Sequence, residues 1–195
     1  MDVIALKIKE SINALLKTHT QLIVAIDGRC AAGKTTLAAH LKNVTGCNVI
    51  HMDHFFLRPG QRTPQRLQQP GGNVDWERVK AEVLQPLKKG TDFCYRPYDC
   101  HTQTLKEPIK IKPGQITVIE GSYSCHPQLF DFYDFHIFLT ISPEVQRRRI
   151  LSRNGAKGLK IFQDKWIVLE ERYFETFSIK KWCELCFDTN ELTAN

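Results

Sequence analysis

The chain has 195 residues, 42% of them hydrophobic, 25% charged and 10% aromatic, with a formal net charge of +6. That is enough for a buried core, and the near-average composition excludes a disordered, collagen-like or disulfide-framework chain. Seven scattered cysteines fit a reducing, cytoplasmic setting better than paired bridges, and no run approaches the 18 apolar residues of a membrane span.

Residues 2–17 carry Ile4, Ile8, Ile12 and Leu15 near helical spacing and predict an amphipathic helix. Leu22 to Ile26 is an unbroken apolar run of the kind found in parallel strands buried on both faces. A glycine-containing turn and a helix from Lys34 to about Val44 follow. Cys47–Met52, Ile116–Glu120 and Phe135–Ile141 repeat the buried-strand pattern. Ser142-Pro143-Glu144 starts a further helix, with serine as cap and proline at the first helical position. A late helix carries Phe162, Trp166, Leu169, Tyr173 and Phe177, read as core, and a last strand is expected at Cys183–Phe187. Strands alternating with helices imply α/β architecture. The expected fold is a three-layer sandwich, a mostly parallel five-stranded sheet with helices on both faces. Residues 54–114 are too long for a simple connection and are read as a substrate-side insertion within a single domain spanning residues 1–195.

Gly28 to Thr35 reads Gly-Arg-Cys-Ala-Ala-Gly-Lys-Thr and matches G-x-x-x-x-G-K-[ST] between a buried strand and a helix. Glycines at both ends let the backbone wrap so that successive N–H groups face phosphate oxygens, and the helix start adds positive potential. The expected ATP contacts are Gly28, Arg29, Cys30, Ala31, Ala32, Gly33, Lys34, Thr35 and Thr36. Lys34 serves as the cation for the β and γ phosphates and the Thr35 hydroxyl as a Mg²⁺ ligand. An Asn-Lys-x-Asp guanine reader is absent, as is a pair of adjacent acids after a buried strand, so a GTPase switch or a motor ATPase is disfavoured. Asp53 follows the second strand at its carboxyl end and suits a general base; Glu120 ends the third on the same rim and could orient Mg²⁺ water. Six basic residues and no acid lie between Val145 and Lys160, and without them the charge of the chain balances. Arg149 and Arg153, four apart on one helix face, lead to Gly155 and Gly158, and a lid is expected at 154–160. Arg147 and Arg148 are read as solvated.

With these pieces in place, the chain resembles the uridine kinase branch of the phosphate-loop kinases, which includes relatives of phosphoribulokinase and pantothenate kinase. The matching segments are Gly28–Thr35, Met52-Asp53-His54-Phe55-Phe56, Tyr98-Asp99, Glu120-Gly121 and the arginine-bearing helix, in order from about residue 20 to 188. The resemblance implies an ATP-dependent phosphotransferase acting on a hydroxyl of a nucleoside. Asp53, Lys34, Arg149 and Arg153 would be catalytic, Asp53, Tyr98, His101 and Glu120 would contact the acceptor, and Thr35 and Glu120 would hold Mg²⁺. The family's longer Tyr-Asp to His spacing is shortened here to Tyr98-Asp99-Cys100-His101, and Asp75 is read as a helix cap. Pantothenate, a phosphoribulose and nicotinamide riboside stay open as acceptors. An ATP-binding regulator and an RNA-associated protein using residues 145–160 stay open as other classes; neither a membrane nor nucleic acid is the expected partner, and a homo-oligomer is left open. Among the cysteines, Cys183 and Cys186 are read as buried and inert, whereas N–H groups and Lys34 near Cys30 are expected to lower its pKa. His51 and His54 are read as structural residues or ligands alike.

Overall fold

A computed structural model describes residues 1–191; the last four residues of the expected 1–195 span lie outside the described residues. Helix α1 (Asp2–Leu15) buries Ile4, Ala5, Ile8 and Ile12. Strand β1 (Leu22–Gly28) is buried along its full length and leads through the phosphate loop into α2 (Lys34–Thr45) and β2 (Asn48–His51). Strands β7 (Ile116–Glu120), β8 (Phe135–Thr140) and β9 (Leu185–Asp188) complete a sheet in the order β2-β7-β1-β8-β9, every neighbouring pair parallel.

The side chains of β1 alternate between two cores, as the period of a strand requires. Leu22, Val24 and Ile26 join α1 and α2 on one face; Ile23 and Ala25 join Val79, Val83, Tyr173 and Phe174 on the other. A three-layer sandwich results, as the sequence pattern predicts.

Between β2 and β7 the chain builds the insertion. Two 3₁₀ turns (Met52–Phe55 and Pro59–Gln61) and the short α3 (Pro64–Leu67) come first. Then α4 (Trp76–Arg78) continues through a π segment (Val79–Leu84) into α5 (Gln85–Lys88). Asp75 caps this helix by accepting a hydrogen bond from the Arg78 amide. Two small antiparallel ladders close it: β3 (Phe93–Tyr95) with β6 (Ile109–Ile111), and β4 (Tyr98–Asp99) with β5 (Thr104–Leu105).

After the four-residue α6 (Pro127–Phe130) and β8, helix α7 (Pro143–Ile161) begins at the Ser142 cap. It breaks at Gly155, whose φ of 68° and ψ of 179° are non-helical. A π segment (Phe162–Trp166) then joins α7 to α8 (Ile167–Phe177), and α9 (Ile179–Trp182) follows. Two expectations need correction. Cys183 is half-buried and Cys186 exposed, because β9 is an edge strand. Of the late aromatic stripe, Tyr173 is core, whereas Phe162 and Trp166 are half-buried and face an open cleft. No described helix is long and apolar enough to cross a membrane.

Candidate active site

The parallel register brings three strand ends to one rim. Ile26 pairs with Glu120 and Glu120 with His51, so the residues just past β1, β2 and β7 surround one cleft of about 1630 Å³. Two glycines permit the close approach. A Cβ on Gly28, at φ 135°, would stand 2.1 Å from the Leu139 carbonyl oxygen; one on Gly121, at φ 139°, would stand 2.7 Å from Met52 Cβ.

Lys34 is buried, and its Nζ donates to the carbonyls of Gly28 at 2.6 Å and Arg29 at 3.0 Å, with the Ser122 hydroxyl at 3.4 Å. Thr35 donates its hydroxyl proton to Glu120, at 3.1 and 3.2 Å to the two carboxylate oxygens. Glu120 is 3% exposed and also bonds His51 Nδ1, an interaction that raises the His51 pKa against the pull of burial. Asp53 opens onto the same cleft. Crowding by its walls strips water from the carboxyl and raises its pKa; Lys34 opposes the rise and Glu120 adds to it.

Cys30, Ala31, Gly33, Lys34, Thr35 and Thr36 line the cleft. Ala32 is fully buried beneath the loop, and the Arg29 side chain turns outward to a bidentate pair with Glu171 at 2.6 and 2.9 Å. Arg149 donates to the Ala31 carbonyl at 3.1 Å and to the Thr189 carbonyl at 2.7 Å, so it braces the loop. Arg153 lies in the cleft with its guanidinium 5.6 Å from the centre of the Phe162 ring. Arg148, read as solvated, also lines the cleft.

Of the acceptor candidates, His101 lines the cleft but Tyr98 does not. Tyr98 is 3% exposed because the β4–β5 ladder turns its ring inward. The expected lowering of the Cys30 pKa is reversed: burial and the nearby Glu170 carboxylate push this thiol up, with Lys34 only partly opposing them.

Three acids that sequence reasoning passed over hold the loop from behind. Asp27 is fully buried and accepts four hydrogen bonds, from the amides of Gly28 (2.7 Å), Tyr123 (3.1 Å) and Cys125 (2.9 Å) and the Tyr173 hydroxyl (2.9 Å). Burial nonetheless pushes its pKa up to about 6. Glu170, also buried, accepts from the Cys30 amide at 2.9 Å and the Ser122 hydroxyl at 2.5 Å. With Glu171 they tie the loop to β7 and α8. The adjacency of Asp27 to the loop's first glycine was the one available signal; Glu170 and Glu171 lie some 140 positions away in the chain.

The donor set suits a hard divalent cation. Thr35 and Glu120 offer oxygens within hydrogen-bond reach of one another, beside the phosphate loop. Among the described residues, no group of three histidine, cysteine or acidic side chains could hold a metal by itself. An ion here would therefore share its coordination with phosphate oxygens.

Sheet order, phosphate loop and cleft define an α/β protein with the phosphate-loop kinase fold. Its relatives lie in the uridine kinase and phosphoribulokinase group that its sequence resembles. The phosphoribulokinase of Synechocystis sp. is 26% identical over 151 residues, 73% of this chain and 45% of the relative, so the chain spans less than half the length of that protein. A solved structure described as a possible uridine kinase from Bacillus stearothermophilus superposes with a TM-score of 0.64 at 23% identity, covering 93% of this chain and all of the other. YFH7 of Saccharomyces cerevisiae, described as a P-loop containing kinase with a circular permutation, gives 0.67 at 12% identity over 95% and 99% of the two chains. No protein-family model matches the sequence.

Proposed function

We propose that the protein transfers the γ-phosphoryl group of ATP to a hydroxyl of a small metabolite. One observation carries this reading: Lys34, Thr35, Glu120 and Asp53 all line a single cleft, with Lys34 and Glu120 within electrostatic reach of the Asp53 carboxyl. The named relatives support the same chemistry.

In this reading Asp53 accepts the proton of the acceptor hydroxyl as its oxygen attacks the γ-phosphorus. The bond from that phosphorus to the bridging oxygen breaks, and ADP leaves. The raised pKa of Asp53 makes it the stronger base. Lys34 Nζ, which donates to loop carbonyls, turns those protons to phosphate oxygens. Arg153 neutralises charge on the transferring group, Arg149 steadies the loop amides, and the helix break at Gly155 lets the segment 154–160 close over the site. Thr35 and Glu120 are the residues that would hold Mg²⁺, which when bound supplies further charge neutralisation on the phosphates.

A nucleoside hydroxyl is one acceptor of this kind, although Tyr98, expected to contact it, lies outside the cleft. The test is an ADP-release screen over uridine, cytidine, nicotinamide riboside, pantothenate, ribulose 5-phosphate and glycerate, with and without Mg²⁺. ADP formed only when a particular acceptor and Mg²⁺ are present supports the reading. Tight ATP binding with no acceptor phosphorylated favours a nucleotide-binding regulator.

A further inference from the structure

Behind the cleft, Glu120 meets a side chain that the phosphotransfer chemistry above does not use. His51 ends β2, in register with Glu120 on the neighbouring strand, and its Nδ1 bonds the Oε1 atom of that carboxylate. An ionised carboxylate can only accept, so the proton of this bond belongs to Nδ1. Thr35 divides its hydroxyl proton between Oε1 and Oε2, at 3.1 and 3.2 Å. Oε1 therefore carries two partners and Oε2 one. Glu120 and Thr35 line the cleft, whereas His51 does not.

The imidazole is itself held. The His54 ring packs against it with centres 5.2 Å apart and planes at 76°, and His54 Nδ1 is joined to the Tyr95 hydroxyl by a hydrogen bond of 3.1 Å. Tyr95 is buried in β3 and stacks on Phe55, with ring centres 5.1 Å apart. A run of rings thus leads from the insertion to Oε1, and none of them lines the cleft. A hydrogen bond to a buried carboxylate from a ring fixed in this way orients the carboxylate, as outer-shell partners of metal ligands do.

That arrangement limits how Glu120 can meet a cation. Mg²⁺ is small, keeps a near-octahedral shell and retains several waters, whereas the larger Ca²⁺ accepts both oxygens of one carboxylate. With Oε1 claimed by His51, only Oε2 is released when the Thr35 oxygen turns to an ion. We propose that His51 is a positioning residue that leaves Glu120 a single free oxygen and so makes the metal site selective for Mg²⁺ over Ca²⁺. This rests on the assignment of Thr35 and Glu120 to the metal, and it does not depend on which acceptor is phosphorylated.

The test reads metal preference by binding. A non-hydrolysable ATP analogue is titrated calorimetrically with Mg²⁺, with Ca²⁺ or with EDTA into wild type, H51L, H51N and Y95F, and a melting curve is recorded for each. Asparagine places an amide donor near the position of Nδ1, and Y95F loosens only the far end of the run. Wild type should bind the Mg²⁺ complex more tightly than the Ca²⁺ complex. H51L should weaken the Mg²⁺ complex about 10- to 100-fold, the scale of a lost outer-shell partner, while the Ca²⁺ complex holds or tightens. H51N should recover part of the preference, and Y95F should shift it in the direction of H51L by a smaller factor. This pattern, found with no acceptor phosphorylated in a parallel ADP-release assay, would uphold the role of His51 and remove the transfer reading. A ratio of Mg²⁺ to Ca²⁺ affinity that stays unmoved in every folded variant, equal losses of both complexes, or analogue binding indifferent to either metal would overturn the inference.

Discussion

The two halves of the cleft are built on opposite principles. On the phosphate side nearly every polar group is engaged: Asp27, Glu170 and Glu171 grip the loop, Glu120 takes Thr35 and His51, and Lys34 is folded onto carbonyls. On the acceptor side His101 stands exposed, and Asp53 opens onto the cleft, held by two-residue ladders and short turns. A triphosphate is the same in every turnover, so its cradle can be preorganised by buried bonds. Groups that must meet a particular acceptor keep their bonding capacity free until it arrives. On the proposed reading, preorganisation belongs to the sheet and acceptor selectivity to the insertion.

The comparison can be broken most severely at Gly28. Gly28→Ala should abolish nucleotide binding and lower thermal stability, since its Cβ would overlap a carbonyl of the neighbouring strand; calorimetric ATP titration and a melting curve together check this. Next in size, Asp53→Asn should cut turnover by at least about a hundredfold while ATP affinity holds, which separates base from cradle. Near-full activity in that variant would remove Asp53 from the chemistry.

Asp27 gives the phosphate side a pH signature. Its pKa is raised from 3.8 to about 6 on folding, so the folded state holds the proton more tightly. The contribution of Asp27 to stability should therefore fall as pH rises through about 4 to 6, by up to about 3 kcal/mol, against the opposite trend set by His54 and His126, whose pKa values burial lowers to about 4. The difference in denaturant stability between wild type and Asp27→Asn, followed across that range, checks it. The smallest effect concerns thiols. Iodoacetamide at pH 8 should label exposed Cys94, Cys100 and Cys186 well before buried Cys30. Rapid loss of ATP binding through Cys30 modification would contradict that order.

Much of the phosphate side was legible in the chain, because its determinants are local. The loop spacing, the apolar run before it and the acids at or near the ends of two strands each occupy a few consecutive residues. The cysteines and the late aromatics were misjudged because burial depends on which strand lies at the edge and where α7 breaks. Tyr98 was misplaced for a similar reason: the direction of its ring follows from the β4–β5 pairing, which a two-residue strand does not announce.

Sequence alone determined the alternation of strands and helices, the phosphate loop and the placement of Asp53 and Glu120 at strand ends, since hydrophobic period and motif spacing are properties of short segments. Only the tertiary structure decided that Glu170 and Glu171 hold a loop some 140 residues earlier and that His51 meets Glu120. Those contacts come from strand register and helix packing, which juxtapose residues that no local pattern relates.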